Sequence, residues 1–144
     1  MIYLKQTTGS LAAMLGTLAL FGSCGSENVM GATMSEVAGL YTATTFEREV
    51  GEGTVDQLAL GASITLNLSS DGTTAGLLFV PAASDSLEDF VADLAGTWSL
   101  DGPLVRLVHP TNTFLEDMGL LYAAGRLGGE RETAFDIIRV VLTR

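Results

Sequence analysis

The chain has 144 residues, of which 47% are hydrophobic and 17% are charged, so it can form one ordinary globular domain. Its 17 acidic and 7 basic residues give a net charge of −10, which disfavours binding to nucleic acid. A single Cys and a single His exclude an internal disulfide and a zinc site of the usual Cys and His composition. We therefore expect no metal and no cofactor.

The amino-terminal residues 1–23 have the three-part layout of a secretory signal peptide. Lys5 supplies a positive charge, residues 11–21 form an apolar run, and small residues follow. A helix needs about 20 apolar residues to cross a bilayer, so a permanent membrane span is the weaker interpretation. The pattern predicts a leader that is removed from the mature protein.

The lone cysteine of the chain directly follows this apolar run. Residues 20–24, with the sequence LFGSC, resemble the lipobox of bacterial lipoproteins, in which small residues precede a Cys that is lipidated and becomes the new amino terminus. Phe21 stands where that family usually has Leu. The resemblance implies acyl chains such as palmitate on Cys24, and hence attachment to a membrane without spanning it. The alternatives are ordinary signal cleavage near the same residues, which leaves a free thiol or none, and a buried Cys24.

The residues after Cys24 bear on where the protein resides. Residues 24–36 are rich in small side chains and predict a flexible tether. In some lipoproteins an acidic residue after the Cys retains the protein at the inner membrane. Gly25 stands there, so we expect an anchor in the outer membrane of the cell envelope, facing the periplasm. Removal of the leader leaves 17 acidic residues and no lysine, so lipid rather than surface charge would hold the protein at the membrane.

From residue 37 to residue 144, short runs of β-branched and aromatic residues alternate with Gly-containing turns, as is typical of antiparallel β structure. Residues 37–46 are the first candidate strand, with Tyr41 on one face and Phe46 on the other. Residues 47–54 form a charged loop. Residues 63–68 alternate between apolar and polar side chains, which predicts a half-buried strand.

The rest of the body continues as hairpins. Residues 73–80 return from an Asp-Gly turn, which is a strong hairpin signal. Residues 87–94 predict one short helix, because apolar side chains recur on one helical face. A second hairpin follows around Trp98, and residues 120–127 and 133–143 predict the last one.

Residues 37–144 resemble the lipocalin-like, up-and-down β-barrel domains of small bacterial lipoproteins, many of them of uncharacterised function. The resemblance rests on the Gly-x-aromatic start at Gly39 and Tyr41, the GTWSLDG hairpin that begins at Gly96, and the closing VVLTR strand. True lipocalins place Trp in the first strand, where this chain has Tyr41. The predicted fold is an all-β, antiparallel barrel of about eight strands with one short helix. An open β-sandwich is the alternative, because alternation does not show closure.

Large apolar side chains at predicted inward positions are candidates to line a ligand cavity. They are Tyr41, Phe46, Leu66, Phe79, Trp98, Leu107 and Phe135. A barrel of about eight strands can enclose a small ligand or be filled by its own side chains, so core packing is the alternative for all of them.

Catalytic chemistry finds little support in the sequence. His109, the only histidine, is the natural candidate for a general base, but it precedes Pro110 at a predicted strand end, where an exposed position is expected. No nucleophile elbow, phosphate loop or calcium loop has its required spacing. We predict no catalytic residue, no metal ligand and no enzyme activity.

Two functions are therefore open. The first is a membrane-anchored envelope lipoprotein whose barrel binds or carries a small apolar ligand. The second is a structural or protein-interaction lipoprotein of the envelope, with a filled core and a protein partner instead of a ligand.

Overall fold

The computed structural model describes residues 31–82 and 88–144. The predicted leader over residues 1–23, Cys24 and most of the predicted tether lie outside the described residues, as does Leu87.

The described part of the chain consists of strands with two one-turn helices. The helices are α1 (Met34–Val37) and α2 (Phe114–Asp117). The first five strands are β1 (Gly39–Val50), β2 (Gly53–Asp56), β3 (Ser63–Leu68), β4 (Thr73–Val80) and β5 (Phe90–Asp93). The remaining strands are β6 (Gly96–Asp101), β7 (Leu104–Val108), β8 (Leu120–Ala123), β9 (Arg126–Glu132) and β10 (Asp136–Thr143).

These strands form a closed antiparallel barrel with eight strand positions. The strand order is β10-β9-β8-β7-β6-β4-β3-β1-β2, and the additional pairing of β10 with β1 closes the sheet. β5 and β6 both pair with β4, while β2 and β3 both pair with β1, so each couple fills one position. The predicted barrel is confirmed. The open sandwich is wrong, because closure leaves no free edge along the β1–β10 seam.

Burial in β3 follows the predicted alternation. Ile64, Leu66 and Leu68 are buried, whereas Ser63 and Asn67 are exposed. Successive side chains of a strand point to opposite faces, so the apolar set fills the barrel interior. Most of the core is built by this alternation.

The predicted faces of the first strand are wrong beyond residue 43, because β1 contains a bulge. The register with β10 shifts between Ala43, which pairs with Leu142, and Thr45, which pairs with Val141. The extra residue reverses the alternation, so Tyr41 and Phe46 are both buried instead of lying on opposite faces.

The helix predicted for residues 87–94 is wrong in its described part. Phe90–Asp93 forms β5, in which Ala92 is buried between exposed neighbours. Val80 of β4 pairs with Phe90, so β5 satisfies backbone groups of β4 that would otherwise lie on a free edge. Long-range pairing outweighs a helical pattern that spans only two turns.

We call the end of the barrel with the β1–β2 hairpin and the β9–β10 turn the mouth, and the opposite end the base. Helix α1 covers the base. Thr33 and Glu36 form a capping box at its start, and Val37 is fully buried. The predicted tether over residues 24–36 thus gives way to ordered structure by Thr33.

The second helix reduces the space inside the barrel. β8 has only four residues, and the chain before it, including α2, turns inward. Leu115 and Met118 are almost completely buried there. They pack inside the barrel, and a cavity lies beyond them towards the mouth.

Candidate functional site

A cavity of about 600 Å³ opens at the mouth. Most of the residues that line it are apolar. These are Phe46, Val50, Val55, Leu60, Val80, Pro81, Ala82, Phe90, Phe114 and Ile138. Three residues of the wall are polar, namely Arg48, Gln57 and Asp136. The composition is that of a typical small-molecule pocket, which is mainly apolar with a few polar groups.

The β1 bulge determines which side chains reach this cavity. Beyond the bulge, every second residue of β1 faces inward, so Phe46, Arg48 and Val50 line the wall. β10 supplies Asp136 and Ile138 from the opposite side of the seam. The cavity is thus built around the contact between the first and last strands of the barrel.

Two aromatic rings form the deep end of the cavity. The ring centroids of Phe46 and Phe114 are 5.4 Å apart with an interplanar angle of 33°. Phe46 is buried and Phe114 packs against the core, whereas Leu60 at the rim is 62% exposed. A tilted pair at this distance is a favourable aromatic contact, so the floor is apolar and well packed.

An ion pair crosses the cavity wall. The guanidinium Nε of Arg48 lies 2.5 Å from Oδ2 of Asp136, whose side chain is 10% exposed. The Thr133 hydroxyl donates to the other carboxylate oxygen. The hydrogen bond from Thr133, followed by the one from Arg48, lowers the pKa of Asp136 below its ordinary value. The Asp136 side chain is therefore a charged carboxylate at neutral pH.

The seven predicted lining residues are distributed over three environments. Phe46 lines the cavity. Tyr41, Leu66, Trp98 and Leu107 are buried in the core below it.

Phe79 and Phe135 do not face the interior. Phe79 alternates with the buried Leu78 and pairs with the exposed Ser63 and Val91, so it lies half-buried on the outer face. Phe135 lies in the β9–β10 turn and is 87% exposed. Neither residue lines the cavity as described.

Sequence reasoning missed the polar wall residues and most of the rim. Residues 47–54, interpreted as a charged loop, are the end of β1 and most of a hairpin with β2. The alternation of Phe46, Arg48 and Val50 with Glu47 and Glu49 was the available signal. It marks a strand that continues past Phe46.

His109 is buried, which corrects the expected exposed position. Its Nε2 lies 2.9 Å from the Thr113 hydroxyl oxygen, and its Nδ1 lies 3.9 Å from a Glu116 carboxylate oxygen. Within residues 31–82 and 88–144, this Nδ1 has no hydrogen-bond partner. The ring helps to fix the chain before α2 and is not part of the cavity wall.

Two features are absent from residues 31–82 and 88–144. None of the helices described is long and apolar enough to cross a membrane. In the same residues, no group of three or more His, Cys, Asp or Glu side chains could hold a metal ion.

Comparisons with protein-family models, with curated proteins and with solved structures found no match to this chain.

Proposed function

We propose that the chain is a lipid-anchored protein of the bacterial cell envelope whose barrel binds a small apolar ligand in the mouth cavity. The observation that carries the ligand proposal is the cavity itself. Its volume of about 600 Å³ lies within the range of ordinary ligand pockets, and its wall is mainly apolar.

The rim of the cavity also favours a ligand over simple core packing. Val50, Val55, Leu60 and Phe90 line the cavity, yet each remains between 37% and 62% exposed. Apolar surface in water costs about 25 cal/mol per Å², so a molecule that covers these side chains gains binding free energy. If the barrel only packed its own core and bound no ligand, these apolar side chains would stay exposed to solvent.

The place where the chain enters the barrel suits an anchor at Cys24. Gly31 lies beside Gly102 in the β6–β7 turn, at the base. Gly31 is seven residue steps after Cys24, so an extended link reaches at most about 25 Å. An acylated Cys24 would hold the base towards the membrane, and the mouth would open towards the aqueous side.

One observation favours the second candidate function, an interaction protein. Leu77 and Val91 lie on the outer face of adjacent strands and are 44% and 58% exposed, with Phe79 between them. An apolar patch of this kind on the outside of a barrel can meet a protein partner. This patch is separate from the cavity, so the two functions can be tested independently.

The test of the ligand proposal uses an environment-sensitive apolar dye and the full chain carrying Cys24→Ser, so that no acyl group competes. Dye emission is the readout. The only tryptophan, Trp98, lies in the core towards the base, so its fluorescence would report poorly on binding at the mouth. We expect saturable binding that Val80→Phe weakens by about tenfold or more, since the larger ring fills the cavity.

The matched control is Val91→Phe, the same change one strand away on the outer face. It should leave dye affinity within about twofold of the parent. No saturable binding would overturn the ligand proposal. Equal weakening by both variants would place the dye outside the mouth and overturn it as well, whereas loss in Val91→Phe alone would favour the outer patch.

A further inference from the structure

The polar groups of the mouth cavity limit which ligands it can hold. Arg48, Gln57 and Asp136 interrupt a wall that is otherwise apolar. A bound molecule that fills the cavity would therefore place most of its surface on hydrocarbon and one part of it against these three side chains. Such a molecule is an amphiphile with an apolar body and a polar head.

The wall carries no net charge. Arg48 and Asp136 are 2.5 Å apart and neutralise each other, and the Thr133 hydroxyl also donates to the carboxylate. The pair engages Nε of Arg48, and among the described residues its two Nη groups make no hydrogen bond. The amide of Gln57 can both donate and accept. The wall can therefore form hydrogen bonds with a ligand through Arg48 and Gln57, while the positive charge of Arg48 is balanced by Asp136.

The surroundings of the mouth oppose a negatively charged head. Arg131 lies opposite the cavity-lining Ile138 on the paired strand, and its Nη2 lies 3.0 Å from Oδ2 of Asp117. This arginine is therefore already paired with a carboxylate. The β1–β2 hairpin adds further acidic side chains such as Glu52, and the whole chain has a net charge of −10. An approaching anion therefore meets a negative potential, and the Arg48 guanidinium in the wall is already compensated by Asp136.

A positively charged head gains no partner inside the cavity either. The carboxylate in the wall, Asp136, already accepts hydrogen bonds on both oxygens. A second cation beside it would lie close to the guanidinium of Arg48, and like charges in a partly desolvated site repel strongly. The acidic exterior attracts cations only through solvent, where salt screens the attraction.

We propose that the mouth cavity selects amphiphiles with an uncharged, hydrogen-bonding head, such as an alcohol, over anionic and cationic amphiphiles of the same size. The inference rests on the proposed ligand-binding function and adds the class of ligand to it. The head is held by the Nη groups of Arg48 and the amide of Gln57, while the apolar body extends towards Phe46 and Phe114.

The test compares three probes that share one alkyl chain, namely decanol, decanoate and decylamine, each displacing the apolar dye at neutral pH from the chain with Cys24→Ser. We expect decanol to bind about tenfold more tightly than either charged probe, because a charged head loses hydration in the cavity without gaining an uncompensated opposite charge. Decanoate or decylamine binding as tightly as decanol would overturn the inference while leaving the ligand proposal intact. If the dye binds and no probe displaces it, or if no dye binds, the inference fails.

Asp136→Asn tests the inference through a predicted increase in affinity for decanoate. Asn and Asp have nearly the same size, so a change in the shape of the cavity would not produce this increase. The change leaves Arg48 uncompensated, so affinity for decanoate should rise about tenfold and the preference for decanol should disappear. Glu130→Gln removes the same charge from the outside of the adjacent strand, where Glu130 pairs with Arg139, and should leave the preference unchanged. Equal shifts in both variants would indicate a general charge effect and contradict recognition by the wall pair. If Asp136→Asn does not fold, the ranking of the three probes on the parent chain still decides.

Discussion

Nε of Arg48 and Oδ2 of Asp136 lie 2.5 Å apart, and they join the first and last strands of the barrel. The two residues are 88 positions apart in the chain. Arg48 pairs in register with Ile138, and Asp136 pairs with Val50, so the ion pair runs diagonally across the seam. It therefore links barrel closure at the mouth to the polarity of the cavity.

The seam ion pair makes stability depend on pH. We expect Asp136→Asn to lower the free energy of unfolding at neutral pH by about 1–2 kcal/mol, because it removes a charged acceptor from Arg48 and Thr133. The pKa of Asp136 is lowered in the folded state, so this contribution is present above the pKa of the unfolded chain and is lost as pH falls through the folded value. Urea unfolding at several pH values measures it, and the difference from the parent should shrink from about pH 5 downwards.

The control for this measurement is Glu130→Gln, which breaks a half-exposed ion pair with Arg139. Surface pairs contribute little, so the expected change is below about 1 kcal/mol at neutral pH. A difference between Asp136→Asn and the parent that stays constant down to strongly acidic pH would contradict a role for the carboxylate charge.

The strand start at Gly96 has no room for a side chain. A Cβ there would collide with the backbone carbonyl oxygen of Val108 on the paired strand. We expect Gly96→Ala to reduce the free energy of unfolding by about 2–3 kcal/mol, since backbone atoms must move to accept the methyl group. Chemical denaturation checks this, with Gly53→Ala as the control. The nearest atom to a Cβ at Gly53 is 3.9 Å away, so similar losses in both variants would refute the steric explanation.

Local sequence patterns predicted the barrel but not the details of its mouth. The alternation of Ile64, Leu66 and Leu68 follows directly from one buried face, and it survives in the structure. The bulge between Ala43 and Thr45 leaves no trace in composition, because it is defined by the register with β10. One inserted residue was enough to reverse the predicted faces of β1.

The candidate site was harder to predict than the fold for the same reason. Arg48 and Asp136 become neighbours only when the barrel closes, and neither residue has an unusual local sequence. Phe135 had the hydrophobicity of a lining residue, but it lies in a turn whose backbone is bound by the Thr133 hydroxyl. Long-range strand pairing, rather than side-chain type, decided which residues line the cavity.

Arg144 ties helix α1 to the base of the barrel. Its Nη1 donates to the carbonyl oxygens of Glu36 and Ala38 at 2.8 and 2.9 Å, and its guanidinium lies 6.0 Å from the ring centroids of Tyr41 and Tyr122. We expect Arg144→Gln to lower the free energy of unfolding by about 1–2 kcal/mol through loss of charged hydrogen bonds and cation–π contacts.

Arg126→Gln is the matched control for Arg144, because it removes the same charge from an exposed position at the base. Arg144→Lys should recover only part of the loss, since a single ammonium nitrogen cannot bind the two carbonyl groups as Nη1 does and also reach the Tyr122 hydroxyl as Nη2 does. Thermal unfolding followed by circular dichroism distinguishes the variants. Equal behaviour of Arg144→Gln and Arg126→Gln would show that charge alone matters.

Attachment at Cys24 is the prediction on which the proposed location depends. Without residues 1–23 the chain would have no lysine and an excess of acidic residues, so the membrane affinity of the proposed lipoprotein would come from acyl chains, at about 0.8 kcal/mol for each buried methylene. We expect the wild-type chain, expressed in a bacterial host, to sediment with membranes and to begin at an acylated Cys24 in mass spectra. Cys24→Ser should move it to the soluble fraction, whereas Ser26→Ala, two residues further on, should not. A soluble wild-type product with an unmodified thiol, or one that begins after Cys24, would contradict the anchor and with it the orientation of the mouth away from the membrane.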